Sequence, residues 1–159
     1  MSGSLFVRDR QHTRKLDIRA LRLRTCRLLT QELGRPDFDI GVYVVGAAEM
    51  IRLNETHLRH AGSTDVITFD YADPTRPGSL SGEIFICIDE AILQARRYRT
   101  DWHSELLRYI VHGVLHLSGY DDRKVADRRR MKREEDRLLA HLIDAFALSK
   151  RAKRPRMAR

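Results

Sequence analysis

The 159-residue sequence has no uninterrupted apolar run near the ~20 residues that a membrane-spanning helix requires, so no membrane span is expected. Its basic start, Met1–Lys15, has no apolar stretch of the signal-peptide kind behind it, and the expected location is the cytoplasm. Cysteine is scarce. Cys26 falls on a predicted helix and Cys87 in a predicted strand, a pair with neither metal-ligand spacing nor a disulfide framework. Buried free thiols are the expected state. No internal repeat occurs, and the basic C-terminus is the only biased segment.

What is present suits a globular chain: 42% apolar residues and 33% charged ones, in a length that carries one domain with a proper core. We expect that domain over residues 1–149, with 1–15 flexible and 150–159 a basic tail. The net charge of +8 sits at the ends. Residues 1–34 hold eight Lys/Arg and three acids, and residues 150–159 hold six Lys/Arg and no acid. A polyanion such as RNA is the natural partner of such ends, although basic tails also serve solubility alone.

The patterning predicts helices over about 17–33, 47–58, 89–99, 101–118 and 124–148, and strands over 37–45, 64–70 and 83–89. Asp17 and Asp101 are placed as helix caps. The two later strands read as a hairpin around the Pro/Gly/Ser-rich loop 73–82. The expected fold is α+β: a small mixed sheet of four or fewer strands under packed helices, with the helix ending near residue 118 at its centre.

That helix carries the chemistry, in the run His112-Gly113-Val114-Leu115-His116-Leu117-Ser118-Gly119-Tyr120-Asp121-Asp122. Imidazoles four residues apart stack on one helix face and can grip one metal ion. Gly119 stands where a helix takes a left-handed residue to stop, so Asp121 or Asp122 can return to the same ion as a carboxylate ligand. Three protein ligands leave a position open for water or substrate. The pattern approaches H-E-x-x-H-x-x-G-x-x-H of metzincin peptidases, but Gly113 stands where their glutamate base belongs, which argues against peptide hydrolysis.

Several stretches together resemble the YbeY family of bacterial rRNA maturation factors. The run H-G-V-L-H-L-S-G-Y-D-D is similar to that family's H-G-x-L-H-L-x-G-Y-D-H. Residues 53–59 (L-N-E-T-H-L-R), 64–69 (T-D-V-I-T-F) and 82–86 (G-E-I-F-I) resemble further family segments, as do Gln94-Ala95 and 131–135. The resemblance spans about residues 40–140. It implies a metal-dependent, single-strand-specific endoribonuclease acting in 16S rRNA 3′-end maturation and ribosome quality control, with rRNA and the small ribosomal subunit as partners. It implies one Zn²⁺ per chain on His112 and His116, with Asp122 where the family has a third His; that exchange also admits iron or another divalent ion. It carries over Arg59 as an activity-linked residue that can hold the scissile phosphate. Thr64 and Asp65 read as strand-capping or site-bracing groups. The rival reading is a non-catalytic RNA-binding assembly factor whose metal is structural.

Overall fold

The computed structural model describes residues 3–58, 62 and 64–152, with no account of the side chains of residue 58 and residues 145–152. Four strands form one mixed sheet: β1 (Ser4–Asp9), β2 (Phe38–Val45), β3 (Val66–Asp70) and β4 (Leu80–Cys87), in the order β1-β2-β4-β3. The first three in that order run parallel, and β3 closes the sheet antiparallel to β4. Among the described residues five helices accompany it: α1 (Ile18–Arg27), α2 (Ala47–Leu53), α3 (Ile88–Tyr98), α4 (Trp102–Leu117) and α5 (Val125–Ala152). Helices α1 and α2 each run on into one wider, π-helical turn.

Strand β2 is apolar on both faces because both are covered. Phe38, Ile40, Val42 and Val44 join Leu5 and Val7 of β1, Ile84 and Ile86 of β4, and the buried stripes of the helices in the main core. Tyr43 and Val45 face the other way, into a smaller cluster with Ile67, Phe85 and Met50. Asp17 and Asp101 cap their helices as the sequence suggests: each side chain accepts a backbone N–H from the first turn.

The sequence reading places no element before residue 17, but Ser4–Asp9 form β1 there. Leu5 and Val7 alternate inward and pair in register with Ile40 and Val42. Gln11, itself buried, then ties the following turn by accepting from the Thr13 and Arg14 N–H groups and donating to the Arg14 carbonyl. Two inward apolar residues among charged neighbours make a weak local pattern; pairing with β2 makes the strand. Ile143 on α5 is 39% exposed.

Candidate metal centre

Helix α4 is held rigidly from both sides. Leu106, Leu107, Ile110, Val111, Val114 and Leu115 are buried, and Gly113 lies directly on β4. A Cβ at Gly113 would sit 2.7 Å from Ile84 Cγ2, so only glycine lets helix and strand approach this closely. Position 113 therefore faces the sheet. A glutamate there would meet Ile84 and not the cleft, which reinforces the case against a metzincin-type base.

Past Leu117 the chain stops the helix in a Schellman arrangement. Gly119 has φ +99°, its N–H donates to the His116 carbonyl, and the Tyr120 N–H donates to the Leu115 carbonyl. Asp121 then accepts from the backbone N–H groups of Asp122 (2.7 Å) and Arg123 (3.1 Å). These bonds, that from Arg123 foremost, lower its pKa. With its carboxylate spent on the turn, Asp121 lines a separate surface hollow with Tyr120, Asp127 and Arg130. Asp122 is the residue brought back to the histidines.

The three side chains converge. His112 Nε2 and His116 Nε2 are 3.1 Å apart, and Asp122 Oδ2 lies 3.7 Å from the first and 3.5 Å from the second. Tetrahedral ligands at ~2.0–2.1 Å from an ion stand about 3.3 Å from one another, so this triangle has the dimensions of three corners of such a shell. The other ring nitrogens are engaged. His116 Nδ1 donates to the Tyr120 carbonyl (3.1 Å), and His112 Nδ1 meets Glu135 Oε2 at 2.9 Å. A carbonyl and a carboxylate only accept, so in the neutral rings both Nδ1 atoms carry the proton and both Nε2 atoms present lone pairs. Three acceptors thus face one another with no donor between them, an arrangement that a cation satisfies.

Glu135, which the sequence reading did not place at the site, stands behind His112. It sits on α5 with only 8% of its side chain exposed, and its Oε1 accepts from Arg108 Nη1 at 2.9 Å. Burial raises its pKa, but the bonds from His112 and Arg108 outweigh burial and leave it below the usual carboxylate range. Burial likewise pulls His112 down, while Glu135, then Asp65 and Asp122, raise it above its ordinary value. The signal was available in sequence: Met131, Glu135, Leu138 and Leu142 share one 4-3-4 stripe, and an acid within a buried stripe needs a partner.

The histidines and Asp122 form one wall of an open cleft of about 490 Å³, whose other wall is the segment Thr64–Thr68, leading into β3, with Asp70. Asp65 both lines the cleft and caps the strand: its Oδ1 accepts the Val66 N–H, and its carbonyl accepts the Cys87 N–H. Arg59 lies outside the described residues.

A family model described as Endoribonuclease YbeY matches residues 6–143. Endoribonuclease YbeY of Chlorobium luteolum is 41% identical over 130 residues, covering 82% of this chain and 92% of the relative. That of Parabacteroides distasonis is 35% identical over 114 residues, covering 72% and 78%. The solution structure of TM1509 from Thermotoga maritima aligns over 98% of this chain and all of its own, with a TM-score of 0.66 and 20% identity, and so shares the fold. With its sequence matched from β1 to α5 and its α4 histidines and Asp122 gathered at one cleft, the chain belongs to the endoribonuclease YbeY family.

Proposed function

We propose that this chain is a metal-dependent endoribonuclease that cuts single-stranded RNA, with His112, His116 and Asp122 as the protein ligands of one divalent ion. One observation carries the reading: two imidazole lone pairs and a carboxylate oxygen converge within 3.1–3.7 Å while both Nδ1 atoms are committed to other acceptors. Zn²⁺ suits the two imidazoles, and the carboxylate widens the choice to other divalent ions. When bound, such an ion supplies a Lewis acid for a phosphoryl oxygen and lowers the pKa of water.

The cleft's own residues set the electrostatic problem. Among the described lining residues Asp65, Asp70 and Asp122 are acidic and none is Lys or Arg. A phosphodiester facing three carboxylates is repelled, so attraction there needs a cation at the centre. Arg59, five positions before Thr64 in the chain, is the proposed protein cation, with a guanidinium suited to hold the scissile phosphate through two parallel hydrogen bonds. A purely structural ion would call for a closed four-ligand shell, whereas the Asp122 side chain is 42% exposed and, among the described residues, the group supplies three protein atoms.

The resemblance to rRNA maturation factors extends the proposal to the 3′ end of 16S rRNA, the small ribosomal subunit and a cytoplasmic setting. No helix among the described residues is long and apolar enough to cross a membrane. The test is metal content by elemental analysis beside cleavage of a single-stranded 16S 3′-end fragment, for wild type and Asp122→Ala. One ion per chain, lost with cleavage in the variant, is expected. Cleavage by metal-free protein would refute the mechanism, and bound metal without cleavage would favour an assembly factor with a structural ion.

A further inference from the structure

We propose that Glu135 is a positioning residue of the metal centre, holding His112 in the tautomer that offers Nε2 to an ion; this rests on the metal-site reading above. A carboxylate in the apolar stripe of α5 is costly to bury, and both its oxygens are used on the facing helix. Arg108 and His112 are one turn apart on α4. Arg108 takes Oε1, and His112 Nδ1 takes Oε2, each at 2.9 Å. With Arg108, a group of donors only, on Oε1, Glu135 presents Oε2 as an acceptor, and His112 Nδ1 is then the donor. The lone pair is left on Nε2, toward His116 and Asp122. His116 receives the same instruction from the Tyr120 carbonyl.

Docking of α5 on α4 does not by itself require this arrangement, because Arg108 also bonds Asp136 Oδ1 at 2.6 Å. The two acids therefore have separable roles. In Glu135→Gln, Arg108, which has only donors, claims the amide oxygen. The amide NH₂ then faces His112 Nδ1 and demands a lone pair there, which moves the proton to Nε2. The variant keeps the packing volume but inverts the tautomer.

The experiment uses the full-length protein. Long-range ¹H–¹⁵N spectra of the metal-free form, at a pH where His112 is neutral, report which nitrogen carries the proton, with His112→Ala assigning the signals. Zn²⁺ affinity is measured by competition with a chromophoric chelator. Wild type is expected as the Nδ1–H tautomer. Glu135→Gln is expected to shift to Nε2–H and to bind Zn²⁺ about 10–100-fold more weakly. Asp136→Asn is expected to leave both unchanged. A wild-type His112 protonated on Nε2 overturns the proposal without any variant having to fold. Zinc binding by wild type with unaltered tautomer and affinity in Glu135→Gln overturns it alone, whereas wild type that binds no Zn²⁺ overturns the metal-site reading and this proposal with it.

Discussion

Gly113→Ala tests whether the seating of α4 depends on the absence of a side chain between the two histidines. The added Cβ would lie 2.7 Å from Ile84 Cγ2, 3.0 Å from Cδ1 and 3.1 Å from Cγ1, and Ile84 is fully buried with no room to retreat. Overpacking of this kind costs ~1–3 kcal/mol. Alanine returns about 1 kcal/mol through helix propensity. The net loss is about 1 kcal/mol, or about 2–4 °C in Tm for a chain of this length. The cause can be isolated by truncating Ile84. In an Ile84→Ala background the three clashing atoms are gone, and Gly113→Ala should stabilise by up to about 1 kcal/mol. The sign reversal corresponds to a coupling of about 2 kcal/mol. Ile84→Val keeps both γ carbons and should rescue little. Urea unfolding of chelator-treated protein keeps ion linkage out of the comparison, and an unchanged m-value would show that only stability moved. An equal cost of Gly113→Ala with and without the Ile84→Ala change would refute the steric account.

The His112–Glu135 pair should give the metal-free protein a bell-shaped stability term. Glu135, held below its ordinary value of 4.5, contributes fully above that pH and loses its contribution as pH falls through its folded value. His112, held above its ordinary value of 6.5, contributes fully below that pH and loses it as pH rises through its folded value. The term is therefore largest between about 4.5 and 6.5; urea midpoints across pH should show it, and both limbs should flatten in Glu135→Gln. Removing residues 150–159 takes away six Lys/Arg and should weaken RNA binding, reducing the log–log salt slope by up to about four while leaving metal content unchanged. An unaltered slope would show that the tail does not contact RNA.

Much of the fold was readable because local and tertiary preferences agree. The β2 strand, the Asp17 and Asp101 caps and the stop at Gly119 all appear where pattern and turn chemistry put them. The miss at β1 has the opposite cause: Leu5 and Val7 form a strand only because β2 offers an open edge more than thirty residues away. For the site, helix periodicity alone puts His112 and His116 on one face. The choice between Asp121 and Asp122 depends on which carboxylate the turn consumes, and adjacent identical residues carry no sequence signal for that. The α5 stripe marks Glu135 as an acid in need of a partner, but its partners lie on another helix, 23 and 27 positions earlier, where the stripe does not point.

The distribution of charge assigns different work to the ends and the centre. Among the described residues the cleft offers carboxylates, imidazoles and hydroxyls, a surface that attracts no polyanion unaided. The Lys/Arg excess lies instead in the first 34 and last ten residues, where it can hold RNA through phosphates without reading sequence. An exposed basic cleft would bind any RNA strand and would gain little from an ion. On the proposed reading, an acidic cleft with three converging metal-ligand groups would accept a phosphodiester only when the centre is loaded. Affinity supplied by the ends and access controlled at the centre would make the ion a condition of engagement as well as of chemistry. Asp122 in place of a neutral imidazole strengthens that condition, because it adds one more negative charge that only a bound cation offsets.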